Sequence, residues 1–219
     1  RGRPELTLKI RPARTGDAAL VLGFIAKLAD YENLSHEVVA TEADIADIHS
    51  IYEHAVLHGT GTYELDPPSQ AELARRFRHI TGNGFPWIVA EEGGVVLAYA
   101  YASPFRTRPA YRWAIEDSVY VAPEAKGKGV GKLLLQSLLE RCEALGYHQM
   151  IAVFGDGKGN KGSVALHQSL GFKLSGTIEG SGFKFGQWID TVIMQKPLNG
   201  GLDHLPDQER FPGSDWKGL

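Results

Sequence analysis

The stretch Val119-Tyr-Val-Ala-Pro-Glu-Ala-Lys-Gly-Lys-Gly-Val-Gly-Lys132 decides how this chain is read. An apolar strand runs into three alternating glycines and then directly into a helix. Glycine has no Cβ and reaches positive φ, so successive N–H groups can turn toward one point. The helix start adds about +0.5 elementary charge there. Lys126, Lys128 and Lys132 add positive side chains. The stretch reads as a cradle for a phosphate or diphosphate, with a Gly-rich turn lacking any ligand as the plainer alternative. Two other cradles fail on spacing. A Walker A loop ending at Gly131-Lys132 needs Gly where Lys126 stands and Ser or Thr where Leu133 stands. A dinucleotide Gly-x-Gly-x-x-Gly needs its last glycine at Lys132 or Leu134.

Outward from this loop, periodicity predicts a strand over 113–121, a helix over 131–145 and a buried strand over 150–154. Leu133, Leu134, Leu138, Leu139 and Cys142 are expected on the inward face of that helix. Upstream, strands are expected at 87–91 and 95–102 around a Gly93-Gly94 turn, behind a helix over 69–79 capped by Ser69. A loop over 59–68 separates this from a helix behind Asp44. Downstream come a helix near 161–170, strands at 172–178 and 188–196, and a Gly- and Pro-containing tail over 199–219. The first residues add short strands at 8–13 and 38–40 and a helix behind Asp17. These two strand-cap-helix segments match at an offset of 27 residues, Ala13 with Ala40, Asp17 with Asp44, Val21 with Ile48 and Phe24 with Ile51. They read either as a duplicated unit or as two unrelated helices sharing capping chemistry. The order of elements is mixed α/β, which disfavours a doubly wound parallel sheet.

Composition excludes several classes. The 219 residues carry a net charge of −3, with 43% hydrophobic and 22% charged residues, as in a globular domain. The length suits one domain with an appendage. Slight acidity argues against nucleic acid and anionic membrane as partners. Cys142 is the single cysteine, which points to a reducing compartment. The basic Arg1-Gly-Arg-Pro4 start has no apolar stretch behind it, so no signal peptide is expected. The chain begins without Met, so a fragment or a trimmed start is expected.

Lys126-Gly-Lys-Gly-Val-Gly131 resembles the Arg/Gln-x-x-Gly-x-Gly/Ala diphosphate loop of the GNAT superfamily of N-acetyltransferases, with Lys in the first position. A set of spaced segments narrows the likeness. Tyr52-Glu-His-Ala-Val56, Thr62-Tyr-Glu64, Pro67-Pro68, Glu72-Leu-Ala-Arg-Arg-Phe77 and Phe105-Arg-Thr-Arg-Pro-Ala-Tyr-Arg112 belong to it. So do Glu116-Asp-Ser-Val-Tyr-Val121, Asn160-Lys-Gly-Ser163, Leu166-His167, Leu170-Gly-Phe172 and Lys184-Phe-Gly-Gln-Trp-Ile-Asp190. Together they are similar to the phosphinothricin/methionine-sulfone-type acetyltransferases over about 38–198. Ile10-Arg-Pro-Ala13, Leu28-Ala-Asp-Tyr-Glu-Asn-Leu34 and His36-Glu-Val-Val-Ala-Thr41 resemble instead the opening of a diamine-type acetyltransferase. The implied domains are a partial GNAT-like unit at 1–37, a GNAT domain at 38–198 and a tail at 199–219.

The resemblance implies a GNAT α/β fold, a mixed and mostly antiparallel sheet flanked by helices, and acetyl-CoA as acyl donor. It assigns the general base to Glu116 and a proton-donor role to His167. Cofactor contacts fall on Val119, Tyr120, Val121, Lys126, Gly127, Lys128, Gly129, Val130, Gly131, Lys132 and Asn160. Arg106, Thr107, Arg108, Asp117, Ser118 and Tyr63 would meet the substrate, an amino-acid-like amine of the phosphinothricin, methionine sulfone or sulfoximine type. The expected reaction is direct attack in a ternary complex, in a cytoplasmic homodimer. A positioned carboxylate suits this chemistry because an alkyl amine is mostly protonated near pH 7, and a guanidinium fork suits a substrate carboxylate or phosphinate. A protein N-terminus or lysine as acceptor, and a non-catalytic acyl-CoA sensor, are the competing readings. No metal is expected. His54 and His58 are spaced i,i+4 but lack the His-Glu-x-x-His form, and Asp156-Gly-Lys-Gly-Asn160 departs from a calcium loop. Cys142 is expected as a buried small hydrophobe.

Overall fold

The computed structural model describes residues 42–92, 94–156, 159–209 and 212. Contacts divide the chain into Arg1–Val39 and Ala40–Leu219. The strands expected at 8–13 and 38–40 and the helix behind Asp17 lie outside the described residues.

Helix α1 (Glu42–His58) already runs at Glu42, so Asp44 sits in its first turn and is not its cap. An acidic residue there still complements the helix dipole. Ile45, Ile48, Tyr52 and Val56 recur at three- and four-residue spacing and are buried. Helix α2 (Gln70–Gly82) starts where expected, with Ser69 Oγ accepting from the Glu72 N–H at 3.2 Å. Leu73 and Phe77 form its inward stripe.

Six strands follow: β1 (Trp87–Glu92), β2 (Val95–Pro104), β3 (Ala114–Val121), β4 (Gln149–Gly155), β5 (Lys173–Lys184) and β6 (Gln187–Pro197). Their order is β1-β2-β3-β4-β6-β5. Every neighbouring pair is antiparallel except β3–β4. That parallel pair requires a crossover, supplied by helix α3 (Val130–Ala144). Helix α4 (Lys161–Ser169) links β4 to β5. The expected mixed, mostly antiparallel sheet flanked by helices is what the chain forms. Among the described residues, no helix is long and apolar enough to cross a membrane.

The sheet separates two cores. On one face, Ala98, Ala100, Ala102 and Ile115 lie in one cluster with Leu134, Leu135, Leu138, Leu139 and Cys142 of α3. On the other face, Trp87, Tyr99 and Tyr101 cluster with α1 and α2. Burying Leu135 and Leu138 contributes about 1.5–3 kcal/mol each. The expected inward stripe of α3 was wrong at one position: Leu133 is 71% exposed, while Leu135 is fully buried. Strand β5 also runs six residues beyond its expected end at 178, through a two-residue turn at Phe185-Gly186 into β6. Both turn residues have positive φ, 52° and 74°, as in the type I′ turn that matches strand twist. The start of the tail is docked: Asn199 Nδ2 donates to the carbonyls of Glu143 and Tyr147 at 2.8 and 2.9 Å.

Candidate active site

The cradle forms where β3 ends. A 3-10 turn, Pro123–Ala125, reverses the chain, and the Lys128 N–H donates to the Ala125 carbonyl at 3.3 Å. Gly127 and Gly129 then take φ of +77° and +84°, a region closed to most L-residues. Gly129 is the N-cap of α3 and brings no capping side chain. The first N–H groups of a helix have no acceptor within it, so those of Val130 and Gly131 face outward with the dipole behind them. Gly131 has a different job. A Cβ there would stand 3.2 Å from Val121 Cγ2, a tight contact, so glycine eases the close approach of α3 to β3. Lys126, Lys128 and Lys132 are exposed around the loop.

Behind the cradle the sheet opens. Strand β3 continues to Val121 and β4 to Gly155, yet their pairing ends at Asp117–Ala152. The Ala122 N–H donates to Leu97 on the β2 side at 2.9 Å. Backbone groups alternate along a strand, so Ser118 and Tyr120 also face β2, leaving Val119 and Val121 to face the gap. Tyr120 turns its N–H and C=O to the β2 ladder while still lining the slot, and Val119 and Val121 carry the open groups. The gap forms part of a slot of about 970 Å³ lined by β3, β4, the start of α3, α4 and the loop 59–62. Asn160 caps α4 through Oδ1, which accepts from the Ser163 N–H at 3.4 Å, and its side chain lines the slot.

Glu116 stands at the opening of the gap. Burial, with the Asp117 carboxylate beside it, pushes its carboxyl up to about 7, against a lowering pull from Arg106. A carboxylate with that affinity can take a proton near neutral pH. Ser103 is its direct cross-strand neighbour, and both side chains project from the same face as Tyr101 and Ser118.

Asp117 and His167 meet each other. Asp117 projects to the opposite face from Glu116, is buried, and accepts from His167 Nε2 at 2.9 Å. His167 Nδ1 donates to the Ser163 carbonyl one turn back at 2.7 Å. Burial works against the charged ring, but the Asp117 hydrogen bond and charge outweigh it, and the His167 pKa is raised. Both ring nitrogens are thus engaged, Nδ1 within its own helix and Nε2 in an ion pair that ties α4 to β3 at the gap. Both residues line the slot. Asp117 Oδ1 has no hydrogen-bond partner, although Asp117 lines the slot.

Of the expected substrate contacts, Arg106, Thr107 and Arg108 lie exposed on the loop after β2. Arg106 curls over the Phe105 ring at 4.2 Å and donates to the Phe105 carbonyl. Ser118 lines the slot. The Tyr63 hydroxyl meets Thr191 Oγ1, its ring covers Gly182 of β5, and within this chain it lines neither the slot nor the cavity described below. His49 turns to the Pro68 carbonyl at 2.8 Å, while His54 and His58 line the slot ring to ring. Burial pushes the Cys142 thiol up, which suits a packed side chain and not a nucleophile.

Two features escaped sequence reasoning. One is a second cavity of about 330 Å³ on the Glu116 face, lined by aromatic residues of α1, β1 and β2 together with Ser103 and Thr107. Its signal lay in the alternation Tyr99, Tyr101 and Ser103 with Trp87 beside it, legible only once strand register is known. The other is Lys184, buried at the end of β5 and donating to the Thr62 carbonyl at 3.0 Å, which fastens the loop after α1.

A glycine-capped helix start beside a parted pair of parallel strands defines an acyl-carrier site: the cradle offers N–H donors to a diphosphate, and the gap offers backbone groups to an extended amide-bearing arm. Acetyl-CoA carries both of these chemical groups, and the residues present fit them. Comparison with known proteins agrees. The Acetyltransferase (GNAT) family matches residues 45–172, and the chain belongs to it. It is 47% identical over 169 residues to a phosphinothricin N-acetyltransferase of Alcaligenes faecalis, covering 77% of this chain and 85% of that one. An L-methionine sulfoximine/L-methionine sulfone acetyltransferase of Salmonella typhimurium is 38% identical, covering 73% of this chain and 92% of its own. The crystal structure of a phosphinothricin acetyltransferase from Sinorhizobium meliloti in complex with AcCoA superposes with a TM-score of 0.76 at 50% identity, over 82% of this chain and 96% of that one. The chain is an acetyl-CoA-dependent N-acetyltransferase.

Proposed function

We propose that this enzyme acetylates the α-amine of a small amino-acid-like acceptor of the phosphinothricin, methionine sulfone or methionine sulfoximine type. The observation that carries the reading is the half-buried Glu116, raised to about 7, which precedes Asp117 and Ser118 of the slot on β3 and stands opposite Ser103 of the aromatic cavity. Acetyl-CoA, when bound, supplies an acetyl group activated as a thioester. Glu116 removes the proton that keeps the acceptor amine unreactive. The N–H groups that β3 turns into the gap at Val119 and Val121 can donate to a carbonyl oxygen and stabilise charge developing there, an effect worth about 3 kcal/mol in comparable sites. His167 and Asp117 hold α4 and β3 at the separation the gap needs. Arg106 and Arg108, exposed on the loop after β2, supply guanidinium groups for the acceptor's carboxylate. The names of the relatives support this acceptor class.

The reading carries a homodimer with it, supported by the exposed aromatic side chains Phe183, Phe185 and Trp188 around the β5–β6 turn. A cytoplasmic setting is supported by the unpaired, buried Cys142. Steady-state assays with phosphinothricin, methionine sulfone and methionine sulfoximine test the acceptor class. Saturable turnover with at least one is expected; no turnover with any of them defeats the small-acceptor reading.

A further inference from the structure

Lys184 is the only buried lysine among the described residues, 3% exposed at the end of β5. Its Nζ donates to the Thr62 carbonyl at 3.0 Å and lies 5.0 Å from the centroid of the Phe185 ring. Among the described residues it enters no ion pair. A buried ammonium without a carboxylate burdens the fold, where an apolar side chain of the same length would not. Its hydrogen bond reaches 122 positions back along the chain. What Thr62 does there accounts for the charge.

Thr62 ends the loop 59–62, and all four of its residues line the slot. No strand or helix holds this loop. It lies against the end of β4: the Gly155 N–H donates to the Gly61 carbonyl at 3.2 Å, and a side chain at Gly155 would run into the Thr60 carbonyl oxygen. That end of β4 is the part no longer paired with β3, so the loop borders the gap. Thr62 carries two of the loop's fastenings. Its hydroxyl hydrogen-bonds the Tyr52 hydroxyl at 3.2 Å, and its carbonyl takes the Lys184 bond. On the other side, Lys184 leads directly into the β5–β6 turn, where Phe185 and Gln187 also line the slot. One side chain therefore joins two walls of the slot that the sheet does not hold together.

We propose that Lys184 is a positioning residue for acetyl-CoA, holding the loop 59–62 to the β5–β6 turn so that both walls of the slot stand ready for the ligand. The proposal rests on the slot as the acetyl-CoA site and is independent of which amine is the acceptor. Lys184→Met keeps the length of the side chain and removes the donor. Without the bond the loop is in place in only a fraction of molecules, and apparent affinity falls by that fraction. The Kd for acetyl-CoA, read by titration calorimetry, should rise about tenfold. At saturating acetyl-CoA, kcat should stay within about twofold, because the bound ligand restores the loop. A Lys184→Met enzyme that melts at a lower temperature but keeps its Kd for acetyl-CoA overturns the proposal. Should this variant fail to fold, Tyr52→Phe removes the fastening on the Thr62 hydroxyl. The Kd should then rise about threefold or more, and an unchanged Kd overturns the assignment. Hydrogen exchange of the unsubstituted enzyme separates this proposal from the slot itself. Saturating acetyl-CoA should slow exchange of the amides at both 127–131 and 59–62. Protection at 127–131 alone overturns the role of the loop and leaves the slot standing. Protection at neither removes the slot assignment and this proposal with it.

Discussion

Glu116 illustrates how one residue trades stability for reactivity. Its carboxyl is moved from 4.5 to about 7 by burial first and by Asp117 second. A carboxyl whose folded-state pKa lies above its unfolded value favours the folded state less as pH rises through that interval. Glu116→Gln removes the penalty, so its melting temperature should exceed that of the unsubstituted enzyme by a few degrees at pH 8 and by less at pH 5, as scanning calorimetry would show. The same substitution should lower kcat by about 10²- to 10⁴-fold and spare acetyl-CoA binding. Below pH 7, kcat of the unsubstituted enzyme should fall about tenfold per pH unit, and this limb should vanish in Glu116→Gln. A pH profile without an inflection near 7 would remove Glu116 from the role. The residue's position at the strand start was legible in sequence, but its setting was not. The charge of Asp117 and the partial burial depend on which face each side chain takes.

At the scale of elements, the cradle is local and the ion pair is not. Residues 126–132 declare themselves because a strand, glycines and a helix follow within one short stretch. Gly129→Ala places a side chain at φ +84°, a conformation costing about 1–2 kcal/mol. The loop should relieve that strain by turning its N–H groups, so the Kd for acetyl-CoA should rise about tenfold while the acceptor KM changes little. Equal Kd values would show that the N–H groups are not the grip. Asp117 and His167 lie 50 positions apart and meet only through the parallel β3–β4 crossover, so no spacing rule reveals them. Removing one partner of a buried pair costs about 3–5 kcal/mol, whereas removing both costs less than the sum. Urea unfolding of Asp117→Asn, His167→Leu and the double variant should therefore show a coupling of about 1–3 kcal/mol; additive losses would contradict the pairing. Because the His167 pKa is raised, the stability it contributes is present at low pH and declines as pH rises through that raised value. The extra length of β5 was hidden for another reason. Its turn places Phe185 in a conformation usually marked by Asn or Gly, so the turn chemistry carried no signal. On α3, four apolar positions from Val130 to Leu135, interrupted only by Gly131 and Lys132, blurred the phase of the stripe, and Leu133 was exchanged for Leu135.

For the whole molecule, sheet order places the chemistry. The one parallel junction, β3–β4, lies in mid-sheet, and it is there that the strands part. The slot is lined from β3 and β4 and the aromatic cavity from β1 and β2, with Glu116 of β3 opposite Ser103 of that cavity. The mixed α/β class followed from hairpin-length links and one helical crossover. The two-sided site required the register of β1, β2 and β3, which hydrophobic alternation alone does not fix. The central claim is that the N–H groups of the 127–131 turn hold the diphosphate of acetyl-CoA. Isothermal titration of the protein with acetyl-CoA addresses it most directly. One site per chain is expected, with Kd between about 1 µM and 1 mM, weakened about tenfold in Gly129→Ala. Absence of any binding heat at millimolar acetyl-CoA would contradict the account.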